Sequence, residues 1–399
     1  MKKSIAIVGC GASALMLASN LDTHIFNITI YERNFAPGRK FLVAGDGGFN
    51  LTHSEDPSIL VNRYTPALFF SPLIQKFTNI DFQKWLKKIG IPTYIGSSKR
   101  VFPQKGVKPV TVLNAILNEI KQRNIPIKTQ HLWQGWSSKG ELIFKNQSAT
   151  IFVKPDITVF ALGGASWQIT GSDGKWSSHF KEKNITIIPF QASNCAYEIK
   201  WPATFLEVAE GRSLKNISLT CGNMKKKGEV VITKFGMEGG AIYALSPEIR
   251  RELTFQGYST VYVDLKPSLS EESILSKLKQ KGNSSISKQL ETELNISSLQ
   301  IALLKNMLNK PDFTNLATLA HSIKHLPLRI INQAPIDEAI STVGGISLDE
   351  IADNFELKKM PNNFVIGEML DWDAPTGGYL LQGCFSFGYA LAAHLNSQT

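Results

Sequence analysis

Residues 4–21, which read SIAIVGCGASALMLASNL, decide the fold of this chain. The apolar run from Ser4 to Val8 predicts a buried strand, and the Ala, Leu and Met content of Ser13 to Leu21 predicts a helix. Between them stands the pattern GxGxxA, starting at Gly9. Its first glycine permits a tight turn, its second lets backbone approach a pyrophosphate, and its small last residue lets the helix pack closely on the strand.

A second strand completes the unit. Asn27 to Tyr31 alternates in polarity, and Glu32 follows it, 23 residues after Gly9. A carboxylate at that strand end can accept hydrogen bonds from a ribose, and the helix N-terminus presents free N–H groups to phosphates. This β-α-β unit therefore predicts dinucleotide binding.

Further along, the chain changes texture. A helix predicted at Val110–Arg123 and an apolar strand predicted at Ile157–Ala161 continue the early pattern of apolar strands next to helices. This pattern predicts a parallel sheet covered on both faces. From about Phe190 the segments become short, β-rich and separated by Gly or Lys turns, which indicates an antiparallel sheet or small barrel. Its strands are predicted at Asn216–Cys221, Glu229–Thr233 and Thr260–Asp264, with Lys225–Lys227 at a hairpin tip.

A helical segment follows Lys266-Pro267. A capping box from Ser268 to Glu271 predicts a helix that ends at Gly282. More helical periodicity covers Ser287–Leu294, Leu299–Asn309 and Leu316–His325, before extended segments at Leu328–Ile331 and Ala339–Val343. The last seventy residues are again apolar segments interrupted by glycines, like the beginning of the chain.

The predicted fold class is α/β: a Rossmann-like domain with an inserted antiparallel β-unit that itself carries a small helical insert. The expected boundaries are 1–189 with 347–399 for the Rossmann-like domain, 190–267 with 327–346 for the β-unit, and 268–326 for the helical insert.

Composition excludes several classes of protein. The 399 residues are 43% hydrophobic and 19% charged, which is ordinary for a globular protein and rules out disorder, collagen and a disulfide scaffold. The four cysteines form no CxxC pair, so we expect no structural zinc site and a reducing compartment. No apolar run approaches the roughly 18 residues of a membrane span, and the N-terminal run is too short for a signal peptide. We therefore expect a cytoplasmic protein without a membrane partner.

The net charge of +10 leaves two readings open. It is typical of proteins that bind nucleic acid or an acidic ligand, and also of proteins with a Lys-rich solvated surface. The densest cluster, Lys225–Lys227, lacks the interleaved aromatic residues of an RNA-binding surface. We therefore favour the solvated surface and expect no nucleic-acid partner.

Three more sets of residues carry candidate chemistry. Pro37–Lys40 leads to a glycine loop and Asn50–His53, which could complete a phosphate cradle or be only a flexible surface loop. A metal role for His53 is improbable because no second ligand stands at a suitable spacing, so no metal is predicted. Ala161–Ser166 places glycines at the end of an apolar strand, where open α/β sheets bind ligands, although a simple turn would serve the structure equally well.

The last set is at the C-terminal end. Asn363–Glu368 is predicted as a strand that ends in Gly and an acid, followed by Leu370-Asp371, by Thr376–Tyr379 and by a helix from Leu380 to Leu395. The carboxylate could bind a cofactor hydroxyl, and the glycine pair could aim the positive helix N-terminus at an anionic cofactor ring. The alternative is a terminal strand and helix that only close the core.

Together the four sets resemble the bacterial NAD(P)/FAD-dependent oxidoreductases of the BaiN/HI-type family, or aminoacetone oxidase-like flavoproteins. The resemblance runs nearly end to end and includes RVFP at 100–103, TKFGMEGGAIY at 233–243 and TVGGI at 342–346. It implies non-covalent FAD, with NAD(P)H as a transient reductant because no second GxGxxG follows a strand, and a small-molecule substrate.

The resemblance also implies a set of cofactor-binding residues. Gly9, Gly11 and Ala14 would meet the pyrophosphate, Glu32 the adenosine ribose, and Leu132 the adenine through its backbone. The remaining residues of the set would contact the flavin and the phosphates. The full set is Gly9, Gly11, Ala12, Ser13, Ala14, Glu32, Arg33, Arg39, Lys40, Asn50, Leu51, Thr52, Leu132, Ala161, Gly163, Gly164, Gly367, Glu368, Asp371, Gly377, Gly378, Tyr379 and Leu381.

The chain departs from the family pattern at three places. It has GDGGFN at 45–50 where GGGRCN is usual, TKFGMEGG at 233–240 where THxGxSGP is usual, and Leu380 where Asn is usual. These changes indicate a subgroup of unassigned function, so no catalytic residue is assigned. Residues expected to line a substrate site between the flavin and the inserted units are Lys234, Glu238, Tyr243 and Trp167.

The leading expectation is an FAD-dependent oxidoreductase that passes electrons through flavin N5 to an unidentified acceptor. Two alternatives remain: a flavin-dependent RNA-modifying enzyme, which predicts salt-dependent RNA binding, and a flavin-binding sensor or scaffold without turnover. The sequence predicts no oligomeric state.

Overall fold

The computed structural model describes residues 1–43, 49–147, 149–280 and 284–398. They form two compact units, which we call the first unit (Met1–Ala192 with Ile336–Thr399) and the second unit (Ser193–Pro335). The finer three-part division expected from the sequence stays a prediction. The glycine loop expected at 45–48 and the helix end expected at Gly282 lie outside the described residues.

The strands, in chain order, are β1 (Lys3–Val8), β2 (Phe26–Tyr31), β3 (Thr52–His53), β4 (Thr93–Ile95), β5 (Arg100–Pro103), β6 (Ile127–Lys128), β7 (Leu132–Trp136), β8 (Leu142–Lys145), β9 (Thr150–Val153), β10 (Ile157–Phe160), β11 (Ile187–Ser193), β12 (Tyr197–Glu198), β13 (Ser213–Cys221), β14 (Met224–Ile232), β15 (Gly236–Glu238), β16 (Ser259–Asp264), β17 (Leu326–Ile330), β18 (Asn332–Gln333), β19 (Ser341–Ile346) and β20 (Asn363–Val365).

The α-helices are α1 (Ala12–Asn20), α2 (Arg39–Val43), α3 (Pro57–Leu60), α4 (Ala67–Lys76), α5 (Asn79–Lys88), α6 (Pro109–Gln122), α7 (Ser177–Lys181), α8 (Ala203–Ala209), α9 (Gly240–Tyr243), α10 (Ser246–Gln256), α11 (Glu271–Lys279), α12 (Ile286–Thr292), α13 (Ser298–Met307), α14 (Lys310–Thr314), α15 (Leu316–Lys324) and α16 (Tyr379–Ser397). Short 3-10 helices cover Val61–Arg63, Gln168–Thr170, Ile336–Glu338, Leu348–Glu350 and Gly367–Met369.

A parallel sheet in the order β20-β10-β1-β2-β6 forms the frame of the first unit. Its central strand is apolar, and Ile5 to Val8 are buried, as expected for a strand covered on both faces. Helix α1 packs against both α6 and α16. The carboxyl ends of β1, β2, β10 and β20 therefore meet at one edge, which is where open α/β sheets bind ligands.

An antiparallel sheet in the order β17-β16-β13-β14-β15-β12-β18 forms the frame of the second unit. The α/β fold with an inserted antiparallel sheet is thus confirmed. The expected position of the hairpin tip is wrong: Lys225–Lys227 lies inside β14, and Cys221 pairs with Met224 across the turn. Gly222 makes that turn because its φ of +51° suits a residue without a side chain.

The helices of the second unit follow β16. The expected capping residue of α11 is wrong, because Ser270 caps the helix by accepting a hydrogen bond from Ser273 N–H at 3.2 Å. Ser268 stands two residues too early for this contact, since an N-cap directly precedes the first helical residue. Among the described residues, no helix combines the length and apolar composition that crossing a membrane requires.

Candidate cofactor site

The turn between β1 and α1 has the geometry of a pyrophosphate cradle. Gly9 has φ +99°, and a side chain there would overlap the carbonyl oxygen of Ala161 in the loop after β10. A Cβ on Gly11 would meet no described atom within 4 Å, which leaves room beside the backbone. No described side chain caps α1, so its first N–H groups remain available to an anion.

Glu32 follows β2 and closes this turn from the side. Its Oε2 accepts the Cys10 N–H at 3.0 Å, and its Oε1 accepts both N–H groups of Asn34, at 2.8 and 2.9 Å. Burial raises the pKa of Glu32, against the opposing effect of the Asn34 and Cys10 hydrogen bonds and the Arg33 charge. The carboxylate keeps spare acceptor capacity, as recognition of a ribose diol requires.

Lys40 in α2 and Glu368, which follows β20, form an ion pair. The Lys40 ammonium donates to both oxygens of Glu368, at 2.8 and 3.0 Å, and to Ser166 Oγ at 2.9 Å. Glu368 also accepts the Thr342 N–H at 3.2 Å. A side chain on Gly164 would overlap Thr342 Oγ1 and reach within 3.1 Å of the Glu368 carboxyl carbon. These contacts fix a carboxylate and an ammonium beside the sheet edge.

The sets predicted separately from the sequence meet in space. Gly367 has φ +83°, and a Cβ there would lie 2.5 Å from Ser13 Oγ in the first turn of α1. Gly378 has φ +98°, and a Cβ there would lie 2.5 Å from Thr52 Cα. Thr52 Oγ1 in turn donates to Gln382 Oε1 at 2.7 Å, which ties β3 to α16.

Other predicted residues lie at the margins of this region. Arg33 pairs with Asp173 at 2.9 Å, and Arg39 donates to Asn34 at 3.4 Å. Leu132 begins β7, directly after His131, whose N–H donates to the Glu32 carbonyl oxygen at 2.9 Å.

The remaining predicted cofactor residues lie next to residues that have already been placed. The Gly163 carbonyl accepts the Trp176 indole N–H at 3.0 Å, and Asp371 accepts the Gly344 N–H at 2.9 Å. Ala12 and Ala14 lie in the first turn of α1, Asn50 and Leu51 precede β3, and Gly377 and Leu381 flank the start of α16. The cofactor contacts of all these residues stay predictions.

Sequence reasoning missed one polar group, the Glu55 cluster of His53, Glu55, Arg63 and Tyr379. The Tyr379 hydroxyl donates to Glu55 Oε2 at 3.0 Å, and Arg63 Nε donates to the same oxygen at 3.0 Å. The rings of Tyr379 and His53 stack with centroids 5.0 Å apart. His53 Nδ1 accepts the Glu55 N–H at 3.2 Å. The available signal is that His53 and Glu55 stand two residues apart in the sequence, but the sequence analysis considers His53 only as a metal ligand.

Charge and burial oppose each other in the Glu55 cluster. Burial would raise the pKa of Glu55, but the hydrogen bonds from Arg63 and Tyr379 outweigh it and hold that pKa below its ordinary value. Burial lowers the pKa of His53, against the attraction of Glu55. Burial and the Glu55 charge raise the pKa of Tyr379. The cluster is therefore a carboxylate held by two donors beside a neutral imidazole.

The expected substrate-lining residues belong to different units. Trp167 lies in the first unit with φ +62°, whereas Lys234, Glu238 and Tyr243 lie in the second unit. Burial, followed by the Glu238 charge, raises the pKa of Tyr243 to about 12. Their role in binding a substrate stays a prediction.

The residues of the first unit fit FAD. The room beside Gly11 and the uncapped start of α1 suit a pyrophosphate, and the buried acceptor Glu32 suits a ribose. The start of α16, where no described side chain caps the helix, adds a second positive helix end.

Comparison with known proteins supplies independent findings. The family model described as the HI0933-like protein Rossmann domain matches residues 3–394. A ribosomal RNA dihydrouridine synthase of Haemophilus influenzae is 22% identical, over 98% of each chain. A 3-dehydro-bile acid delta(4,6)-reductase of Clostridium scindens is 23% identical, over 96% of this chain and 97% of that protein. The solved 3-ketosteroid-delta4-(5alpha)-dehydrogenase of Rhodococcus jostii shares 11% identity with a TM-score of 0.54, covering 100% of this chain and 97% of its own, a likeness of fold.

Proposed function

The chain is a flavoprotein oxidoreductase of the HI0933-like Rossmann family, and on that premise we propose that it uses FAD to reduce a carbon–carbon double bond conjugated to a carbonyl group. NAD(P)H is the proposed electron donor, and a small molecule is the proposed acceptor. The observation that carries the FAD part of the proposal is the convergence of Glu32, Lys40, Glu368 and the first turn of α1 at one sheet edge.

Each of these residues would bind a different part of the cofactor. The start of α1 and Gly11 would hold the pyrophosphate, and Glu32 the adenosine ribose. Glu368, which is paired with the Lys40 ammonium 2.8 Å away, would accept hydrogen bonds from ribityl hydroxyls. The N-terminus of α16 would place a partial positive charge beside the ring edge that becomes anionic on reduction. When bound, FAD supplies a carrier that takes up and releases a hydride equivalent.

The acceptor class rests on the names of two relatives. A dihydrouridine synthase saturates a uracil ring, and a 3-dehydro-bile acid delta(4,6)-reductase saturates double bonds of a keto steroid. Both names describe addition of a hydride and a proton to a double bond that a carbonyl group makes electron-poor. We carry only that shared chemistry to this chain, because identities of 22% and 23% transfer no particular substrate.

The test is an anaerobic reduction followed by reoxidation. Purified holoprotein is reduced with NADPH or NADH while the flavin absorbance is followed, and 2-cyclohexenone is then added, with cyclohexanone as the saturated control. We expect the absorbance to bleach with one nucleotide and to return with the enone alone.

Each other outcome removes a defined part of the proposal. A flavin that neither nucleotide bleaches removes NAD(P)H as donor, and a flavin that only oxygen reoxidises removes the acceptor class. Turnover that is negligible with every donor and acceptor favours a flavin-binding sensor. A protein that takes up no FAD contradicts the proposal as a whole.

A second candidate function is reduction of uridine in RNA, which the name of the Haemophilus influenzae relative and the net charge of +10 favour. It predicts binding to ribosomal RNA that weakens steeply with salt. Incubation of reduced holoprotein with ribosomal RNA, followed by quantification of dihydrouridine, separates this candidate from a small-molecule reductase. If dihydrouridine forms, the acceptor is RNA and not a small molecule, and the proposed reduction of a double bond still holds.

A further inference from the structure

Two helices of the second unit bring three metal-ligating side chains together. Glu271 is the first residue of α11, His321 lies in the last turn of α15, and His325 directly follows that helix as its C-cap. Helices α11 and α15 pack against each other. Glu271 and His321, which are 50 positions apart in the chain, therefore meet at this point.

The donor atoms of these residues converge. Glu271 Oε2 lies 3.1 Å from His321 Nδ1 and 3.8 Å from His325 Nδ1. The two imidazole rings lie nearly parallel, with centroids 4.9 Å apart. One ligating atom from each residue lies within 4.8 Å of the others, which is close enough for the three to share one ion once their side chains adjust.

A surface ion pair alone explains this arrangement poorly. An exposed His–Glu pair contributes little to stability, so it gives no reason for a second imidazole to stand over the first beside the same oxygen. His321 in the last turn of α15, His325 at the C-cap position and the Glu271 carboxylate supply the two imidazoles and one carboxylate of a His2Glu zinc site. The side chains of His321 and His325 are 61% and 55% exposed, so water can complete the coordination.

The surrounding charge also suits a cation. Both histidines stand at the carboxyl end of α15, where the helix dipole favours positive charge. The nearby Lys324 ammonium is engaged elsewhere: it pairs with Asp264 at 2.7 Å and donates to the carbonyl oxygens of Lys266 and Leu269.

We propose that Glu271, His321 and His325 form a binding site for a divalent transition metal such as Zn²⁺, which joins the start of α11 to the end of α15. Imidazole and carboxylate ligands suit borderline ions such as Zn²⁺ and Cu²⁺ better than Mg²⁺ or Ca²⁺. The sequence prediction of no metal considered only the cysteines and His53. The spacing of His321 and His325 on a predicted helix was the available signal, but Glu271 could be added only from the fold.

The test uses tag-free holoprotein and Zn²⁺ in isothermal titration calorimetry, with Mg²⁺ as the competing hard cation. We expect one Zn²⁺ per chain, undisturbed by Mg²⁺, and a higher unfolding temperature in the presence of Zn²⁺. H321Q and H325Q should each weaken Zn²⁺ binding by at least about tenfold, since even outer-shell changes cost roughly 10–100-fold in affinity. H24Q, at an exposed histidine of the first unit, is the matched control and should bind like the wild type.

Circular dichroism of each variant without metal shows that the fold is intact, so that loss of Zn²⁺ binding reports on the ligands. Wild-type protein that binds no Zn²⁺ at micromolar concentration would overturn the proposal. Binding that survives in H321Q and H325Q would overturn it equally, because the ion would then be held elsewhere. FAD content and flavin reduction should be the same in all variants, so failure here is distinguishable from failure of the proposed function.

Discussion

A single carboxylate, Glu32, joins the local fold to cofactor binding. Its Oε2 accepts the N–H of Cys10 inside the glycine turn at 3.0 Å, so it both shapes the turn and faces the predicted ribose site. In E32A this buried N–H loses its partner, which costs roughly 1–3 kcal/mol of unfolding free energy. We also expect FAD affinity to fall about 10- to 100-fold, since hydrogen bonds to a charged group contribute about 1.5–3 kcal/mol.

Fluorescence titration of the apoprotein with FAD and denaturant unfolding measure the two effects. E32Q keeps an acceptor oxygen for the Cys10 N–H and should recover most of the stability with only part of the affinity. E182A, at an exposed glutamate of the same unit, is the control. Equal FAD affinity in E32A and E182A would contradict the assignment of Glu32 to the cofactor.

The Glu55 cluster should make the first unit sensitive to acid. Burial lowers the pKa of His53, so between that lowered pKa and the ordinary value of about 6.5 the unfolded chain binds a proton that the folded chain does not. The free energy of unfolding must then fall as pH falls below about 6.5, by at most about 1.4 kcal/mol per pH unit for this proton. Glu55, whose pKa is held low, adds a further loss below about pH 4.3.

Urea unfolding at pH 5 and pH 7 measures this slope in wild type and H53N. Asparagine does not titrate, and its side-chain oxygen can accept the Glu55 N–H in place of Nδ1. We expect a shallower slope in H53N. Burial also lowers the pKa of His394, which leaves a slope of the same sign in both proteins. Identical slopes in the two proteins would show that His53 is protonated alike in the folded and unfolded states.

At this residue scale, sequence reasoning worked where partners are close in the chain. Glu32 was predicted because its distance from Gly9 is part of a known pattern. Lys40 and Glu368 stand 328 residues apart, and Tyr379 and Glu55 stand 324 apart. No periodicity links such positions. Lys40 and Glu368 are predicted from the sequence only as separate candidates and not as a pair, and the Glu55 cluster is not predicted.

At the scale of elements, α1 and α16 depend on a glycine at their contact. A Cβ on Gly388 would overlap the carbonyl oxygen of Ser13 and lie 2.8 Å from the Leu17 nitrogen. Helix propensity alone predicts that G388A gains about 1 kcal/mol. We expect the opposite, a loss of about 1–3 kcal/mol, because the overpacked helices must separate. Ser13 lies in the first turn of α1, beside the predicted pyrophosphate site, so FAD affinity should fall as well.

Denaturant unfolding of G388A and A393G separates packing from propensity. Ala393 lies on the exposed face of α16, so A393G should lose only about 0.5–1 kcal/mol and keep its affinity for FAD. A G388A protein as stable as the wild type would contradict the close contact of the two helices.

Element boundaries show where pattern reasoning ends. Helix α1 was expected at 13–21 and occupies Ala12–Asn20, because strong apolar patterns define a core element well. The hairpin tip was misplaced because lysines mark exposure, whereas a tight turn depends on backbone φ, which Gly222 supplies. Exposed strand residues and turn residues share a polar composition, so composition could not separate them.

At the scale of the whole molecule, the predicted cofactor residues all fall in the first unit, while the second unit has its own sheet and helices. A ligand stabilises the structure that binds it, by about 2.7 kcal/mol at 100 times Kd, which corresponds to roughly 100-fold slower exchange of amides that open by unfolding. Hydrogen exchange of apoprotein and FAD-saturated protein should therefore show increased protection within 1–192 and 336–399 and little change within 193–335.

Zn²⁺ supplies the complementary measurement on the same protein. If the proposed metal site exists, Zn²⁺ should slow exchange in α11 and α15 and leave the pyrophosphate turn unchanged, so the two ligands should protect separate parts of the chain. E32A, exposed to the same FAD concentration, controls for effects of free flavin. If FAD protected 193–335 as strongly as 1–192, the two units would unfold as one, and the second unit would have to be treated as part of the cofactor-binding structure.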